Sequence, residues 1–115
     1  MRFMLLLHED EQVWAGASAT QRDEYGRRHD AFAAAVSERG TIVAGEALST
    51  VTAATTVRRR GDAVVVTEGP YAETVEQLGG FYVVDLPDLD AALEAVALLP
   101  PYSVEIRPVV DVDDL

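Results

Sequence analysis

Proton chemistry in this chain would fall to two histidines and twenty carboxylates. His29 is the first candidate. An imidazole titrates near neutrality, so a carboxylate partner makes it a general base or acid. At about 100° per residue, Tyr25, His29, Phe32 and Val36 form one narrow helical stripe, with Arg27, Asp30 and Glu38 facing away. A histidine on that stripe is desolvated, and burial favours its neutral form unless a carboxylate faces it. The competing reading is a packed helix histidine bonded to a backbone carbonyl. His8 ends an apolar run on the side of Met4 and Leu6, and either enters the same pocket or marks the exit to water. No pair of histidines has the His-x-x-x-His spacing of a metal site, so no metal is expected. Ser18, Ser49 and Ser103 have no nucleophile-elbow context, and there is no Gly-x-Gly-x-x-Gly fingerprint, so no cofactor is expected.

These residues must be carried by short elements. Residues 2–8 are apolar and run into charge, which suits a buried strand. Ser18 is a helix N-cap with Gln21 three residues on, as a capping box requires, and Gly40 ends the helix begun there. The pattern predicts strands over 42–48, 55–60 and 63–67, the last two joined by a Gly61-Asp62 hairpin turn. A Gly- and Pro-punctuated loop over 68–80 precedes a strand at 81–84. Pro87-Asp88 starts a second helix, with Leu89, Ala92, Leu93, Val96 and Leu99 on one face, and Pro100-Pro101 stops it. Residues 104–110 form the last strand and 111–115 a frayed acidic tail. The order is a β-α-β-β-α-β frame with an inserted hairpin, the split-βαβ, ferredoxin-like α+β arrangement. Two helices cover one sheet face, and the other face needs a partner, most simply in a homodimer.

At 115 residues the chain is one domain, residues 1–115, large enough to bury a core. Its 49% apolar content argues against disorder. The absence of cysteine excludes disulfides, thiolate metal sites and a cysteine nucleophile. A net charge of −11 repels phosphate and anionic lipid, so neither nucleic acid nor membrane is an expected partner. The basic run Arg58-Arg59-Arg60 reads as a solvated strand beside a turn. No signal pattern opens the chain, and a cytoplasmic location is the expectation.

The most distinctive stretch is Glu68-Gly69-Pro70-Tyr71-Ala72-Glu73-Thr74-Val75-Glu76-Gln77-Leu78-Gly79-Gly80-Phe81. It reads as a turn, one helical turn begun by Pro70, and a return to strand, forming an ordered flap anchored by Tyr71 and Leu78. It resembles the DGPFAETKE signature of one branch of the YCII-related family, with Glu68, Tyr71 and Val75 in place of Asp, Phe and Lys. The resemblance extends along the chain through Met1–Leu6, His29-Asp30-Ala31-Phe32, Gly45-Glu46-Ala47-Leu48 and Val104–Val109. It implies a ferredoxin-like fold assembled as a dimeric α/β barrel. It also implies acid–base chemistry of the lyase, isomerase or dehydrochlorinase kind on a small organic ligand. In that reading His29 and Glu46 are catalytic, while His8, Tyr71, Glu73 and Glu76 are substrate-binding. The alternative is a non-catalytic ligand-binding or regulatory dimer associated with an extracytoplasmic-function sigma factor.

Overall fold

In β1 (Arg2–Glu9), Phe3, Leu5 and Leu7 are buried and alternate with Met4 and Leu6, as the two-residue period of a strand dictates. The computed structural model describes every residue, Met1–Leu115. After β1 come α1 (Glu11–Ala15), α2 (Ala19–Arg39), β2 (Thr41–Ala47), β3 (Thr55–Arg60) and β4 (Ala63–Glu68). The chain then continues through β5 (Gln77–Asp85), α3 (Leu89–Val96) and β6 (Ser103–Pro108). Four strands form one sheet in the order β2-β5-β1-β6, every neighbour antiparallel. The molecule is mixed α+β. No helix is long and apolar enough to cross a membrane.

Register decides which side chains meet the helices. Phe3 pairs with Val84 and Leu5 with Tyr82, so these four share a face with Leu7 and Ile106. Phe32 and Val36 of α2, and Ala91, Ala92 and Ala95 of α3, close the core over that face. The capping box forms as expected: Gln21 N–H donates to Ser18 Oγ at 3.1 Å, and Ser18 N–H to Gln21 Oε1 at 2.7 Å. Gly40 ends α2 for a different reason from the one expected. Its φ of −173° is extended, and a Cβ there would lie 1.9 Å from the Asp85 carbonyl oxygen. Only glycine lets the chain pass so close to β5.

Four local expectations need correction, and one helix was not anticipated. That helix is α1, capped by Asp10, whose carboxylate accepts from Gln12 N–H at 2.9 Å. Of the expected second-helix face, Ala92 and Leu99 are buried and Val96 packs on the core, but Leu89 and Leu93 are half exposed and Ala91 and Ala95 are buried instead, because small side chains let α3 sit closer to α2 and the sheet. Residues 111–115 make one 3-10 turn capped by Asp111. The motif segment contains no helical turn. Instead Gln77 Nε2 donates to the carbonyls of Ala72 and Thr74 at 3.2 and 3.0 Å, so one side chain organises the loop that a helix would have organised through its backbone. β5 starts at that glutamine and runs through Gly79-Gly80 rather than beginning at Phe81.

The hairpin of β3 and β4 turns at Gly61-Asp62, with Gly61 at φ 61°. It pairs with no other strand.

Candidate functional site

The stripe on α2 divides by depth. Phe32 and Val36 are buried, whereas Tyr25 and His29, a turn or two nearer the N-terminus, are half-buried and overhang one end of the sheet. There they line a cleft of about 620 Å³, with α1 and the chain ends of β1, β2 and β5 as its other walls.

His29 is held by two phenols. Its Nδ1 lies 2.6 Å from the Tyr82 hydroxyl and its Nε2 2.8 Å from the Tyr102 hydroxyl. Tyr82 reaches this place because β5 alternates Gly80, Tyr82 and Val84 onto the helix side. Gly45, its partner on β2, leaves room for the ring: a Cβ there would come within 2.6 Å of Tyr82 Cδ1. Phe32 packs on the same ring with centroids 4.6 Å apart. Tyr102 is placed by the turn after Pro100-Pro101, its N–H donating to the Pro100 carbonyl at 2.6 Å. The aromatic wall continues from Tyr102 to Tyr25, edge-on at 5.9 Å, and from Tyr25 to Trp14 at 5.6 Å. Tyr25 donates to Glu9 Oε1 at 2.5 Å. The Arg22 guanidinium sits 4.6 Å over the Trp14 ring.

Burial sets the protonation of this group. It pushes His29 below the usual imidazole range, and the Asp30 carboxylate opposes that only in part, so the ring is neutral at pH 7. Burial likewise pushes both phenols above the usual tyrosine range, aided at Tyr82 by Asp30 and at Tyr102 chiefly by Glu9. Tyr25 is pushed up to about 12 by burial and by its bond to Glu9. A neutral imidazole has one N–H and one lone pair. One phenol therefore donates to the ring and the other accepts from it, and the accepting phenol keeps its own O–H to offer elsewhere. Both phenols line the cleft.

The expected site residues separate. Glu46 lines the His29 cleft, but none of its atoms hydrogen-bonds the ring, whose two nitrogens are already engaged. Its register opposite Phe81 turns it towards the face without helices. His8, Tyr71 and Glu76 line a second cavity of about 420 Å³ beneath the motif segment. There His8 Nδ1 lies 3.2 Å from the Leu6 carbonyl, and Glu76 accepts from Ser103 Oγ at 2.6 Å. Tyr71 is 81% exposed with Arg58 stacked at 5.4 Å, and Glu73 lines neither cavity. No group of three or more His, Asp and Glu side chains is arranged to hold a metal ion. Tyr82, Tyr102 and Glu9 could not be picked out from the sequence, and Tyr25 was placed on the His29 stripe without a role. Strand alternation carried a signal for one of them, since Tyr82 has the parity of buried Val84.

Sheet, helices and cleft define a small α+β domain with one polar, aromatic-walled site at the sheet end. The chain matches the YCII-related domain over residues 1–113 and belongs to that family. It is also similar to an uncharacterised protein of Rhizobium meliloti (strain 1021), with 35% identity over 94 residues that span 82% of this chain and 76% of that protein.

Proposed function

We propose that the His29 cleft binds a small organic molecule and moves a proton on it, in the manner of an isomerase or lyase. The observation that carries the reading is the bridge of His29 between two phenols that both line the cleft. One phenol gives its proton to the ligand and takes the imidazole N–H. The imidazole takes a proton from the second phenol, which accepts one from another position of the ligand. Protons balance, the histidine ends as its other tautomer, and no phenolate or imidazolium accumulates. The raised phenol values and the lowered histidine value favour such a neutral relay over stepwise ionisation. Glu46 borders the cleft but is turned to the face without helices, so the relay does not use it.

The strand order supports a ferredoxin-like fold, and the face without helices, centred on Met4, Leu6, Phe81 and Val83, supports a homodimer closing an α/β barrel; its assignment to the DGPF branch and to the cytoplasm rests on the sequence alone. The test is deuterium exchange followed by proton NMR on a panel of small enolisable carbonyl compounds and their β-chloro derivatives. The wild-type chain is expected to accelerate exchange or chloride loss, and His29→Ala to abolish it. Exchange undiminished in His29→Ala overturns the relay. A panel that binds without exchange favours the ligand-binding or sigma-factor-associated reading instead.

A further inference from the structure

The β3–β4 hairpin stands away from the body. The radius of gyration is 16.3 Å, against ~13 Å for a compact chain of this length, and the molecule measures 48 × 44 × 18 Å. A lone two-stranded hairpin is marginal in water unless something packs on it. One face of this hairpin carries Val57, Val64 and Val66, exposed by 59%, 57% and 63%, with Arg59 beside them in register with Val64. Arg58, Arg59 and Arg60 make no ion pair within the chain, although the chain as a whole carries −11.

The mouth of the His29 cleft has the opposite character. Glu9, Glu11, Asp30 and Glu46 line it and make no ion pair either, and Arg22 is its single cation. Beside them Val13, Trp14 and Leu48 are exposed by 48%, 44% and 45%. Apolar surface and unpaired anions thus stand together at the cleft, and apolar surface and the unpaired Arg59 share one face of the hairpin. Burying the valines against these three side chains removes both from water, and Arg59 opposes the carboxylates at low dielectric.

We propose that the hairpin is an exchanged arm: in the homodimer it reaches over the partner's His29 cleft, seats its valine face on the partner's α1, and brings Arg59 to the cleft carboxylates. The cleft of one chain is then roofed by the other, and its charge is partly neutralised where a ligand enters. The inference rests on the homodimer proposed above and not on proton transfer. Both partners of the contact come from one sequence, so two arms exchange symmetrically.

The absence of native cysteine makes a direct test possible. Asp62→Cys at the hairpin tip and Gln12→Cys on α1 are exposed changes that keep the arginines and the cleft carboxylates. The two single variants are mixed, allowed to exchange subunits, treated with a flexible bis-maleimide, and weighed by light scattering before cross-linking. A species of two chains formed efficiently between Asp62→Cys and Gln12→Cys is expected. A control pairing Asp62→Cys with Asp90→Cys, at the start of α3 beyond the far end of β5, should give little. Adding Arg59→Glu to the tip variant should lower the yield severalfold. Yields equal to the control, or insensitive to Arg59→Glu, overturn the arm exchange while leaving a dimer standing. A scattering mass of one chain overturns both.

Discussion

Replacing Tyr82 by phenylalanine removes one oxygen from the cleft and leaves the ring. The ring keeps its contact with Phe32 at 4.6 Å and its seat against Gly45, so packing is nearly unchanged. What goes is the 2.6 Å bond to His29 Nδ1. An intramolecular hydrogen bond contributes about 0.5–1.5 kcal/mol net, and the open cleft lets water reach the freed nitrogen, so the loss should be about 1 kcal/mol. The entropy of unfolding is ~2.1 cal/mol/K per residue, or about 0.24 kcal/mol/K here, so Tm should fall by about 4 °C. The assay is paired: thermal unfolding, and the ¹⁵N shifts of the His29 ring, which report its partners and tautomer. The Nδ1 resonance should move while Nε2, still held by Tyr102 at 2.8 Å, moves less. Unchanged Tm with unchanged ring shifts would refute the bridge. A fall several times larger would show that the hydroxyl organises more of the core than its half-exposed position implies.

His29→Ala removes the partner of both phenols and should lower stability by about 2 kcal/mol, twice the single-bond figure. A folded, dimeric variant with ligand binding intact would mean that His29 serves packing alone. Because burial holds the folded-state pKa of His29 below its ordinary 6.5, the unfolded chain binds more protons between those two values. His29 therefore adds stability that is fully present above about pH 6.5 and is lost as pH falls through its folded value; the difference between wild type and His29→Ala in urea titrations should shrink over that acid interval. Both phenols titrate above their ordinary 10.0, so their contribution is complete below that pH and declines at higher alkalinity. Gly45→Ala should move the His29 Nδ1 resonance as Tyr82→Phe does without touching a polar atom, since its Cβ at 2.6 Å displaces the Tyr82 ring, and overpacking of this kind costs about 1–3 kcal/mol. Gly79→Ala is the control: nothing stands within 4 Å of its Cβ.

The fold was legible wherever local chemistry and periodicity agreed. Ser18 and Gln21 define the start of α2, the Phe32/Val36 stripe defines its buried side, and Gly61-Asp62 defines the hairpin, each within a few residues of sequence. What was not legible depended on distance along the chain. The alanine face of α3 looks weaker than its leucines on a helical wheel, and only the closeness of α2 makes the smaller residues the buried ones. The loop after Pro70 has the composition of a helix start, but the Gln77 amide satisfies its carbonyls first.

The site shows the same division. His29 could be read from its stripe, because a half-polar aromatic in line with Phe32 and Val36 must sit where the core meets water. Its partners could not. They lie 53 and 73 residues away, on β5 and before β6, and meet only when the antiparallel order sets Tyr82 beside Leu5 and brings β6 to the other side of β1. The exchange of an expected carboxylate for two phenols changes the chemistry more than the position. A carboxylate would charge the imidazole and make it a base awaiting a substrate. Two neutral phenols leave it uncharged, and in the relay proposed above what would reach the ligand is a tyrosine hydroxyl. On that proposal the residue that touches the ligand and the residue whose tautomer records the turnover are different ones, and Tyr82→Phe and Tyr102→Phe should each remove exchange in a chain whose histidine is intact.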